Sequence, residues 1–191
     1  MSIASGAPAV QFSAMSMPVP APQEKALRRV LAVARADGWG IMAVAGASVI
    51  VAVFQGAFGL AGFALIATLT GAAELLGRRQ LLQRRVAGLR WLIGAQATLL
   101  ALIWFYAWHR WHHFDATALW AQLPAFAQAE VTEKLSAAGL DPVADRLLLL
   151  ELTNQLTCVT LAFVSLLYQG GLIFWYGLQR ARICQALLAS L

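Results

Sequence analysis

Residues 38–76 read GWGIMAVAGASVIVAVFQGAFGLAGFALIATLTGAAELL, and among these 39 positions only Glu74 carries a charge. A single helix of that length, at about 1.5 Å per residue, would run roughly 58 Å. That is about twice the ~30 Å hydrocarbon thickness of a bilayer. The segment therefore reads as a hairpin of two membrane spans. Its break falls at Phe54-Gln55-Gly56-Ala57, where a polar residue meets a glycine. The spans are then 38–54 and 57–76.

Downstream, residues 77–90 read GRRQLLQRRVAGLR and hold Arg78, Arg79, Arg84, Arg85 and Arg90. This is the most basic stretch of the chain. A third apolar run covers 91–108. Residues 109–146 are polar and contain Pro124, Gly139 and Pro142, with short helical patterns over about 116–123 and 125–138. Asp141-Pro142 reads as a helix start, with Asp as N-cap and Pro at the first helical position. From there a long last helix carries span 4, within 147–191. Upstream, residues 23–37, QEKALRRVLAVARAD, place Leu27, Val30, Leu31 and Ala34 at helical spacing among basic residues. They read as an amphipathic cytoplasmic helix on the membrane surface, or as a lead-in to span 1. Residues 1–22 are rich in Ala, Ser, Met and Pro, lack a basic stretch ahead of an apolar core, and are expected to be a disordered tail.

The expected fold is therefore all-α: an integral membrane protein with four transmembrane helices and a small helical extracytoplasmic segment. Composition agrees. Of 191 residues, 60% are hydrophobic and 12% charged, with a mean hydropathy of +0.68; a soluble domain is about a quarter charged. The net charge of +5 lies in clusters beside apolar runs, which reads as a topology signal and not as a nucleic-acid face. Eleven basic residues fall on one side of the bundle: Lys25, Arg28, Arg29, Arg35, the five Arg between spans 2 and 3, Arg180 and Arg182. The other three are Arg110, Lys134 and Arg146. Positive charge marks the cytoplasmic side. Both termini are expected inside a bacterial inner membrane, with Arg78, Arg79, Arg84 and Arg85 on anionic lipid headgroups.

Two patterns carry candidate chemistry. The first is WFYAWHRWHHF, residues 104–114, which holds all three histidines. His109 and His113 are four residues apart on one helix face, with His112 beside them, and imidazoles so placed can share a metal. The same stretch also reads as an aromatic belt, because Trp and Tyr concentrate where a helix leaves the bilayer. No histidine lies deep in a span, as haem would want. The second pattern is on span 4. Glu151, Asn154, Gln155, Cys158, Ala162, Ser165 and Gln169 fill one stripe about 100° wide on a wheel of about 100° per residue. Polar groups in lipid are costly, so the stripe is expected to face protein or water. It serves either helix packing, in this chain or against a copy or another membrane protein, or a transport path.

Cys158 and Cys184 form no Cys-x-x-Cys motif and read as packing residues. Phosphate-cradling loops, nucleophile motifs and metal-protease motifs are absent from the sequence. No catalytic residue and no cofactor is expected. The expected role is a non-enzymatic accessory or assembly protein acting through helix packing. The alternatives are a small-molecule or ion transporter or channel using the span 4 stripe, and a metal-binding sensor at the outer end of span 3.

Overall fold

The computed structural model describes residues 22–188. The expected disordered tail lies outside them, apart from Pro22. Among the described residues there are helices and turns and no strand. Helix α1 spans Pro22–Phe54, α2 Phe58–Leu82 and α3 Ala87–His112. Two short helices follow, α4 (Ala116–Gln122) and α5 (Ala125–Ala137). Helix α6 (Asp145–Ser165) passes through one π-helical turn, Leu166–Gly170, into α7 (Gly171–Leu188). Four stretches are long and apolar enough to cross a membrane: Glu24–Phe54, Phe58–Leu82, Ala87–His112 and Asp145–Gln185. Their outward faces are apolar, as at Val44, Phe105, Leu156 and Phe174, all more than 50% exposed, which is the surface lipid solvates.

Of the two readings of 23–37, surface helix or lead-in to span 1, the structure has the lead-in, since the stretch is continuous with span 1 in α1. Ala26, Leu27, Val30 and Ala34 are buried. Leu27, Val30 and Ala34 join a core with Leu81 of α2, Leu89 and Leu92 of α3, and Tyr176, Ile183 and Leu187 of α7. The apolar face read as membrane-binding covers the bundle itself, because α7 extends as far on this side as α1 does. The expected helix start at Asp141 also moves. The Asp141 carboxylate accepts from the Val143 and Ala144 amides, making a turn, and the helix begins at Asp145.

The helices form an antiparallel ring: α1 packs on α2, α2 on α3, α3 on α6 and α7, and α7 on α1. At the end holding the α2–α3 turn and its arginines, the ring is closed. Towards the α1–α2 hairpin it opens, since α1 packs closely on α7 but not on α6. At the hairpin, Gly56 takes φ +69°, a left-handed conformation that glycine adopts without strain. Helices α4 and α5 sit at this open end. Gln128 of α5 donates to the Trp120 and Leu123 carbonyls, and the Arg146 guanidinium lies 4.9 Å from the Trp120 ring centre.

A candidate site at Asp37, Glu74 and Gln96

Antiparallel helices bring residues to one level when they stand equally far from the turn that joins them. Asp37 is 17 residues before the end of α1 (37 to 54), and Glu74 is 16 after the start of α2 (58 to 74). Across the next turn, Glu74 is 8 residues before the end of α2 (74 to 82), and Gln96 is 9 after the start of α3 (87 to 96). All three therefore lie in one layer, about 25 Å from the hairpin at about 1.5 Å per residue. That is the arginine-rich third of the ~30 Å an apolar span must cross.

Glycines close the distance sideways. A Cβ at Gly71 would lie 2.9 Å from the Gly38 carbonyl oxygen and 2.9 Å from Met42 Cγ. A Cβ at Gly77 would lie 2.9 Å from the Gly88 carbonyl oxygen, and one at Gly88 would collide with the Gly77 carbonyl. So α1 crosses α2 at Gly38/Gly71, and α3 crosses α2 at Gly77/Gly88. In Gly71-x-x-Glu74-x-x-Gly77, at about 100° per residue, the two glycines lie about 120° apart with Glu74 midway between them. The carboxylate points between the two neighbouring helices.

The contacts follow. One amide nitrogen, Gln96 Nε2, donates to Asp37 Oδ2 at 2.5 Å and also to Glu74 Oε1. The Tyr168 hydroxyl, from the π-helical turn, donates to Asp37 Oδ1 at 2.8 Å. Glu74 and Gln96 are fully buried. Glu74 Oε2, Gln96 Oε1 and, on the same π-helical turn as Tyr168, Gln169 Oε1 have no partner among the described residues; the buried Tyr176 hydroxyl has none either. Neither carboxylate is within ion-pair distance of a basic side chain among the described residues. The layer thus holds more acceptor oxygens than donors, and two acids without a cation.

Asp37 and Tyr168 also line an open apolar cavity of about 880 Å³, to which α6 contributes Leu161. Its α1 wall is Val33, Ala36, Asp37, Gly40, Ile41, Val44, Ala45 and Ser48, one face at helical spacing. Phe63, Ala64 and Ala67 of α2 and Leu99, Leu102, Ile103 and Tyr106 of α3 form the other side.

The residues singled out by sequence lie elsewhere, with one exception. In the span 4 stripe, Asn154, Cys158, Ser165 and Gln169 are buried, Gln155 is half-buried and Glu151 is exposed. Asn154 accepts from Arg110 Nε at 2.5 Å, and Arg110 also donates to the Tyr106 hydroxyl. The stripe meets the candidate site only at the π-helical turn, where Gln169 follows Tyr168. The histidines do not converge. His109 packs on His113 at 4.6 Å between ring centres and His112 on Trp108 at 4.2 Å. Among the described residues, no three His, Cys, Asp or Glu are grouped to hold a metal ion. Of the basic cluster, Arg79, Arg84 and Arg85 are exposed, while Arg78 donates to the Leu31 carbonyl at 3.3 Å and pins α2 to α1. Comparison with known protein families, characterised proteins and solved structures gives no match.

The sequence alone does not single out Asp37, Glu74 and Gln96: Asp37 ends the amphipathic stretch 23–37, Glu74 is the one charge in 38–76, and Gln96 is a lone amide in the third apolar run. What links them is their equal distance from two turns, which shows only once the turns are placed.

Proposed function

We propose that this chain is a non-enzymatic four-span protein of a bacterial cytoplasmic membrane, with both termini in the cytoplasm, that works as a small transporter. Asp37, Glu74 and Gln96 are its cation- or proton-binding groups. One observation carries the reading: two carboxylates from two spans, Glu74 buried in the bundle and Asp37 half-buried beside it, share a single amide donor, with no cation beside them among the described residues. Ionisable groups at such depth are expensive and mark ion and substrate sites more often than packing. The basic residues at the closed end support the orientation. The test is reaction with dicyclohexylcarbodiimide, which modifies carboxyls in apolar surroundings, read by peptide mass spectrometry. Labelling of Asp37 or Glu74, with the exposed Glu130 and Glu133 unlabelled, is the expected result. Inert carboxyls at both positions would make the cluster a sealed structural element and overturn the reading.

A second reading has its own support. Gly40, Ala45, Ala64 and Ala67 give the open cavity small-residue walls, and small residues admit a close-packed helix. A partner membrane protein seating one helix there would make this chain an accessory protein. Co-purification of a stoichiometric partner in mild detergent, lost in Gly40→Leu, would establish it.

A further inference from the structure

We propose that the cavity between α1 and α6 binds an amphiphilic amine, a protonated primary amine on a long apolar chain, which enters sideways from the lipid and sets its ammonium on Asp37. This rests on the transporter reading and names its substrate class. The cavity is apolar along α1 from Val33 to Val44 save for one ionisable group, Asp37, at its arginine-rich end. The lining chemistry therefore asks for an apolar body with one positive charge at the tip. Its volume of about 880 Å³ lies within the range of about 300–1,000 Å³ usual for small-molecule sites.

Hydrogen bonding selects the head group. Behind Asp37, Glu74 Oε2 and Gln96 Oε1 are fully buried and without donors. An ammonium brings three N–H donors and a charge. A quaternary ammonium brings the charge alone, and an alcohol brings one donor with no charge. The primary amine is the head group that answers both deficits. Packing leaves the way in: α1 is not closely packed on α6, and the cavity beside it is open with an apolar lining, so an apolar chain can pass from the bilayer into it. Gly40, beside Asp37 on the cavity wall, leaves open space where a side chain would project.

The experiment uses the full chain in phosphatidylcholine nanodiscs and reads carbodiimide labelling of Asp37 and Glu74. Dodecylamine is expected to reduce labelling at least tenfold, while dodecanol and dodecanoate at equal membrane concentration leave it unchanged. In Asp37→Asn, Glu74 is expected to remain labelled and dodecylamine to protect it no longer. Equal protection by dodecanol would reduce the site to an apolar slot and overturn the proposal. So would protection by phosphatidylethanolamine alone, which would assign the ammonium to a lipid headgroup. Labelling that no amine suppresses overturns the amine proposal and leaves the transporter reading standing. Absence of labelling at both carboxyls overturns the two together.

Discussion

At the scale of the residue, Gln96 decides what the site is. A glutamine amide has two N–H donors, and here each goes to a different carboxylate on a different helix. Replacing it with leucine keeps the bulk and orphans one acceptor on Asp37 and one on Glu74. A buried acceptor without its donor costs about 1–3 kcal/mol. Gln96→Leu is therefore expected to lower the unfolding temperature in detergent clearly more than Gln155→Leu, whose side chain makes no such bridge. Equal melting of the two would mean the bridge contributes nothing to the bundle. A second residue acts outside the four long apolar helices. The Asp115 carboxylate caps α4, accepting from the Thr117 hydroxyl and from the Thr117 and Ala118 amides, and these bonds hold its carboxyl below the ordinary carboxylate range. A depressed folded-state value means the cap's contribution is complete above the ordinary carboxylate range and fades as pH falls through the depressed value. Protection of the Thr117 and Ala118 amides, taken relative to the intrinsic exchange rate at each pH, should fall on acidification below the ordinary range, and Asp115→Ala should show that low protection already at neutral pH.

At the scale of the element, the four long apolar helices were legible because hydrophobic length is a one-dimensional signal: 39 residues with one charge are about twice what one span needs. The continuity of α1 was not, since an amphipathic face looks the same whether it meets lipid headgroups or the tail of α7. Nor was the candidate site, because it depends on register between helices. Small-residue pairs are frequent in a chain this rich in Ala and Gly, and the sequence alone does not rank them. The structure ranks them by what a Cβ would meet. Gly71, Gly77 and Gly88 face backbone at about van der Waals limits or closer, while Gly94, also on α3, has open space. Overpacking a tight contact costs about 1–3 kcal/mol. Gly88→Ala is expected to fall in that range, or to reduce folded yield, by pushing α3 off α2. Gly94→Ala should be neutral or slightly stabilising through helix propensity. The reverse order, measured by thermal unfolding of the two variants in one detergent, would mean the α2–α3 crossing lies elsewhere.

At the scale of the whole molecule, shape and charge say different things about the two ends. The closed end has the buried apolar core, the acid layer just inside it and the basic residues around it. The open end has the cavity mouth, the aromatic stretch of α3 and the short helices α4 and α5. If lysines and arginines stay in the cytoplasm, an amphiphile loading from the outer half of the bilayer meets the cavity first and the carboxylates last. Orientation therefore sets the direction from which Asp37 is reached, and it can be measured apart from any substrate. A reporter inserted after Ala137, in the last turn of α5, is expected to read as extracytoplasmic, and one fused after Leu191 as cytoplasmic. Alkaline phosphatase, active only once exported, and green fluorescent protein, bright only in the cytoplasm, should give opposite patterns at the two positions. The bias comes mainly from Arg78, Arg79, Arg84, Arg85 and Arg90, which crowd one short connection where the positive-inside rule acts most strongly. Neutralising four of them is expected to produce a mixed population. If the wild-type reporters came out inverted, the carboxylates would lie near the outer face, and the cavity would open towards the cytoplasmic leaflet.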